Sequence, residues 1–101
     1  MTMQFDRDRF AEMVGSIFAA EVPGGNKIDL ELVEVSELLE RPDCRSFSLI
    51  FHTPEGLLLD QGLYDVAHES LGPMQLFLVP VGMKGNNLML EALFNLLKEE
   101  S

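Results

Sequence analysis

Residues 56–81, GLLLDQGLYDVAHESLGPMQLFLVPV, constrain the fold more than any other part of this chain. Two apolar runs, 57–59 and 74–81, flank Gly62–His68, where Tyr64 and Val66 mix with polar residues. Gly62 and the Gly72-Pro73 pair punctuate the stretch. Short apolar runs bounded by Gly and Pro form strands joined by turns. The run 74–81 is apolar on both faces, with Leu76 and Leu78 on one and Phe77, Val79 and Val81 on the other. Such a strand is expected to be covered on both faces. Residues 74–81 are therefore placed at the centre of the fold.

The rest of the chain supplies partners for this strand. Residues 2–14 are predicted helical: Asp6 and Asp8 suit a first turn, where the helix dipole favours acids, and Phe10, Met13 and Val14 recur at helical spacing with Phe5 able to join them. Gly15 argues for an end near Val14. Residues 16–22 alternate as a strand, with Phe18 and Ala20 on one side. Pro23-Gly24-Gly25-Asn26 is a turn signal between two extended pieces. In Lys27–Val35 the alternation of Ile28, Leu30 and Leu32 slips at Val33, which predicts a bulge or a strand end. Residues 36–45 read as a surface loop and 46–53 as a strand. Residues 82–87, GMKGNN, read as a hairpin loop. The segment 88–97 fits a helix or a strand by periodicity. The loop before it favours a hairpin, so 88–94 is predicted as a strand, with fraying or helical turns after it.

These elements predict a single domain over 1–101, α+β and mainly β. One short N-terminal helix covers or plugs a curled antiparallel sheet of five or six strands, a small barrel or roll. The 101 residues, 47% of them apolar and seven of them Phe, suffice for one core. Seventeen acidic against seven basic residues give a formal net charge of −10. No Lys or Arg cluster offers phosphates a basic patch, which disfavours nucleic acid and anionic membranes as partners. With one cysteine, Cys44, no intrachain disulfide is possible. No apolar run approaches the roughly 20 residues of a membrane span. The opening MTMQFDRDRF carries both charges and lacks a signal peptide's apolar core. The expectation is a soluble, cytoplasmic protein.

A resemblance adds to this reading. The strand Phe47-Ser48-Leu49-Ile50-Phe51 leads to Gln61-Gly62 with Tyr64 and His68, then to Leu71-Gly72. Phe77-Leu78-Val79-Pro80-Val81-Gly82 follows, and last Glu91-Ala92 with Phe94-Asn95. In this order the chain, from about Phe10 to Asn95, resembles a family of small bacterial proteins grouped as a domain of unknown function. It departs from the family pattern at Leu90, where members usually carry an aromatic. The resemblance implies a compact β-rich fold and a terminal strand. It implies no known activity, and suggests accessory proteins, sometimes beside phage-tail-like structural proteins.

Chemistry-bearing constellations are sparse. His68 follows Tyr64 by four residues and precedes Glu69, with Asp60 and Asp65 nearby, but this spacing matches no metal-ligand motif and no metal or other cofactor is expected. The preferred role is a strand-end histidine hydrogen-bonded to the turn at Leu71-Gly72. Cys44 lies between Asp43 and Arg45 without a base to activate it, and Ser46, Ser48 and Ser70 lie in no Gly-x-Ser-x-Gly elbow. Gly24-Gly25 lacks the Gly-Lys-Ser/Thr of a phosphate loop, and Glu31 and Glu34 read as a solvated strand face. No catalytic residues are therefore assigned, and an enzyme is not expected. Tyr64 is expected to bury its ring and send its hydroxyl to a polar partner such as His68, and Gln61 to cap a turn. Two functions of different class follow. The first is a non-enzymatic interaction or assembly module, offering a protein partner or a second copy a strand edge or an apolar patch near 57–59, Met83 and Met89. The second is a small-molecule or metal-binding domain centred on Gln61, Tyr64 and His68.

Overall fold

The computed structural model of the protein describes residues 7–97, with side chains described through Asn95. A short helix, α1 (Arg7–Ala11), precedes seven strands: β1 (Ile17–Glu21), β2 (Lys27–Val35), β3 (Leu39–Glu40), β4 (Cys44–His52), β5 (Gly62–His68), β6 (Gly72–Lys84) and β7 (Asn87–Leu97). All pairings are antiparallel, in the order β2-β1-β5-β6-β7-β4-β3, and β2 also pairs with β4. That last ladder closes β1, β5, β6, β7, β4 and β2 into a six-stranded barrel, with β3 as an extra strand outside it. The mainly-β barrel expected from the sequence is what the chain forms.

Alternation builds the barrel's interior. Phe18, Ala20, Leu30, Leu32, Phe47, Leu49, Phe51, Tyr64, Val66, Met74, Leu76, Leu78, Leu88, Leu90 and Ala92 are buried and belong to one core. The slip at Val33 is a real irregularity, since the β2–β4 register shifts between Leu32 and Glu34. The helix ends earlier than predicted, at Ala11, and its expected first residues, 2–6, lie outside the described residues. Gly15, with φ of +95°, then turns the chain into β1 while its N–H bonds the Leu32 carbonyl at 2.7 Å. Helix α1 does plug the barrel. Phe10 is fully buried, its ring centroid 6.5 Å from Phe18, 6.1 Å from Phe47 and 5.3 Å from Phe94. The opposite end is closed by the segment after β4. Gly56 N–H bonds the Asn86 carbonyl, Asn86 Nδ2 donates to Glu55 Oε2, and Leu59 packs on the core.

Four expectations are corrected. The presumed loop 36–45 contains β3 and the start of β4; two exposed residues carry no periodic signal, so β3 is held by its pairing with β4 and by the Arg45–Glu40 ion pair. The presumed loop 82–87 shrinks to Gly85-Asn86, because residues 82–84 and 87–89 pair as strand. Gly85 has φ of +62° and Asn86 a negative φ, the sign pattern of a II′ turn, whose twist matches paired strands. Strand β7 runs through Leu97 without a helical turn. The fourth correction concerns β6. It has neighbours on both flanks, β5 through Leu78 and β7 from Leu78 onward, but it is not covered on both faces. Met74, Leu76 and Leu78 face the core, whereas Phe77 and Val81 are about half exposed. A strand of a closed single-layer barrel has only one inner face, however apolar its other face is.

Candidate functional site

His68 ends β5 inside the α1 end of the barrel and is buried, its ring centroid 4.5 Å from that of Phe18. Its Nδ1 accepts the backbone N–H groups of Ser70 at 2.9 Å and Leu71 at 3.2 Å. An Nδ1 that accepts leaves the ring proton on Nε2, which lies 3.0 Å from Ser16 Oγ. Ser16 Oγ in turn donates to the Met13 carbonyl. The role expected for His68, ordering the turn at Leu71-Gly72, is what it performs, and it also ties that turn to the start of β1.

A serine and a histidine within 3.0 Å of each other are the components of a nucleophile–base pair, and sequence reasoning missed Ser16, 52 positions from His68. Their polarity runs the wrong way for that chemistry. A general base must accept the hydroxyl proton, whereas this ring donates to the hydroxyl and the hydroxyl proton is held by a carbonyl. A cleft of about 350 Å³ opens beside the pair, lined by Glu12, Met13, Ile17 and Glu69 among others.

Tyr64 and His68 lie on the same inner face of β5, about 13 Å apart at strand rise. The Tyr64 hydroxyl donates to the Asp60 carbonyl at 2.5 Å and not to His68, correcting the expected partner. Burial of the ring, and secondarily the Asp60 carboxylate, push the phenol above its usual range. Gln61 is exposed, just outside the start of β5. The three residues proposed as a pocket do not converge.

Outside the barrel His52 stands in register between Glu31 of β2 and Met89 of β7. Its Nε2 is buried without a hydrogen-bond partner, near a cleft of about 280 Å³ lined by Asp29, Glu31 and Asn87 among others. Among the described residues no group of three or more His, Cys, Asp or Glu side chains is placed to hold a metal ion. Cys44 is half-buried at the start of β4. No described helix is long and apolar enough to cross a membrane.

The outer face of β5, β6 and β7 is a different matter. Leu63 is directly opposite Phe77, and Phe77 and Leu93 are the next residues beyond the last β6–β7 pair, Leu78↔Ala92. Their exposures are 62%, 51% and 63%. Three large apolar side chains thus lie in a row across three adjacent strands, with Val81 and Met83 exposed further along β6. Of the run 57–59, expected to offer an apolar surface, only Leu58 is exposed; Leu57 is half-buried and Leu59 packs on the core.

A family model described as a domain of unknown function, DUF6916, matches residues 5–94. The chain belongs to this family. That is the kind of family the resemblance indicated, and the match runs from the residues before α1 to Phe94 in β7, covering all of the barrel but the last three residues of that strand. Neither a curated protein nor a solved structure matches the chain. For this DUF6916 domain, function has to be argued from the barrel itself.

Proposed function

We propose that this DUF6916 domain is a non-enzymatic interaction module, an accessory subunit whose working surface is the outer face of β5, β6 and β7. The observation that carries the reading is the contiguous row of Leu63, Phe77 and Leu93, each more than half exposed on neighbouring strands. Single exposed apolar residues need no explanation, but an adjoining group of large ones on a rigid sheet marks a contact surface. They lie outside the buried cluster that fills the barrel's interior. The reversed polarity of the Ser16–His68 pair supports a role without catalysis. An assembly beside phage-tail-like proteins, as the family resemblance suggests, is one setting for such a subunit, and the acidic surface suits a cytoplasmic one.

A photo-crosslinking amino acid placed at Phe77, and separately at Asp29 across the barrel, tests this in the native host. The expected result is a discrete adduct from position 77 and none from 29, lost when Leu63→Lys is added. Equal labelling from both positions, or none from either, would overturn the reading.

A further inference from the structure

Three successive residue pairs line the outer face of β5 and β6: Leu63 with Phe77, Asp65 with Gln75, and Ala67 with Pro73. Strand β1 extends the second and third rows, since Glu21 pairs with Asp65 and Ala19 with Ala67. Lys27 of β2 ends the second row opposite Glu21. Over about 13 Å along β5 the outer face thus passes from large apolar side chains to acidic ones to small ones.

A hollow of about 430 Å³ opens at the small row, lined by Ala19, Ala67 and Pro73 with Glu21 and Asp65 beside them. That volume lies within the roughly 300–1,000 Å³ of sites that enclose a small group. Alanine is a poor strand former, so the facing Ala19 and Ala67 leave room without strengthening the ladder. Glu21 and Asp65 are like charges directly opposite each other, which works against strand pairing. Asp65 Oδ1 accepts a hydrogen bond from Gln75 Nε2 at 2.8 Å, and Oδ2 has no partner among the described residues. Lys27 is the only cation in the lining, and no ion pair among the described residues joins it to either carboxylate. Two choices unfavourable to a strand pair therefore coincide at this hollow.

Resting on the interaction-module reading, we propose that this hollow receives an arginine side chain of the partner protein whose apolar residues cover Leu63 and Phe77. Charge complementarity specifies the cation, since the lining is acidic on balance and the chain carries a net charge of −10. The apolar floor beside an acidic wall specifies arginine. Its planar, weakly hydrated head can lie flat on Ala19 and Ala67 while its edge N–H groups meet Glu21 and Asp65. Arginine is also the charged residue most at home in the buried part of a protein interface. Continuity with the apolar row specifies a protein, because Asp65 and Gln75 lie two residues from Leu63 and Phe77. The same net charge on every copy disfavours a second copy of this chain.

The test uses the full chain and two end-blocked peptides, Phe-Ser-Ser-Ser-Arg and its reverse, followed by amide NMR. Their spacing matches that of Leu63 and Ala67 on β5. At least one peptide is expected to shift the amides of 19–21, 65–67 and 73–77 together. Citrulline in place of arginine keeps the planar shape and loses the charge, and is expected to weaken binding about tenfold. Ala67→Leu, which fills the hollow, and the double variant Glu21→Gln with Asp65→Asn are expected to weaken it as much. These positions are exposed, so neither variant should lower the melting temperature. Binding unchanged by citrulline, by Ala67→Leu or by the double variant would overturn the proposal, as would no shift with either peptide at millimolar concentration. Agmatine binding as tightly as the peptides would assign the hollow to a free small molecule and also overturn it. In the host, the adduct formed from position 77 is expected to fall about tenfold in the double variant. An undiminished adduct would reject the arginine site while leaving the outer-face reading standing, whereas no adduct from position 77 in the otherwise native chain is the failure of that reading itself.

Discussion

At His68 both ring nitrogens are committed, one to two backbone N–H groups and the other to Ser16. His68→Ala leaves those donors unpaired in a buried turn, and the expected loss is about 3 kcal/mol of unfolding free energy by urea titration. Nitrogen chemical shifts of the ring should show the Nε2–H tautomer. Tyr64 makes a pH prediction. A phenol held above its unfolded value keeps its proton more firmly in the folded state, so its contribution is complete below pH of about 10 and is lost as pH rises through the folded value. Melting temperature should therefore fall on the alkaline side, and Tyr64→Phe should flatten that fall while costing about 1 kcal/mol at neutral pH for the lost bond to Asp60. The turn-ordering role of His68 was legible because its partners are two and three residues away. Ser16 was not, since no local pattern reports a contact between residues 52 apart.

Helix α1 is too short to be stable alone, and it docks through the buried Phe10 ring and through Arg7, whose Nε donates to the Ser36 carbonyl at 2.8 Å. Phe10→Ala removes a ring that touches Phe18, Phe47 and Phe94, and the expected cost is about 4 kcal/mol by denaturant unfolding. The Phe47–Phe94 stack, with centroids 4.9 Å apart and planes at 4°, would lose its neighbour, so the Phe94 ring signals should broaden or shift most. Most strands were legible from alternation and turn residues: Lys27–Val35 and Gly62–His68 carry the predicted bounds, and the irregularity at Val33 was visible as a phase slip. Strand β3 and the extension of β6 through Gly82 were not. In both, pairing with a neighbour confers the strand on residues whose own preferences point to a loop.

For the whole molecule, charge and closure set the behaviour. Described ion pairs such as Arg7–Asp8 and Arg45–Glu40 involve partly or largely exposed groups, and they do little to offset a net charge of −10. Raising NaCl from 20 to 300 mM should therefore stabilise the fold, by about 1 kcal/mol in urea midpoints, as like charges are screened. A fall in stability would show that attractive pairs dominate instead. Patterning alone determined that this chain is mainly β with one short helix at its start, because a strand's inner face must be apolar at every second residue. Only the tertiary structure decided that β2 meets β4 to shut the barrel and that Phe77 lies outside it. Periodicity reports which residues share a face, whereas the neighbour that each edge meets is set by contacts between distant segments, and those exist only once the sheet has curled.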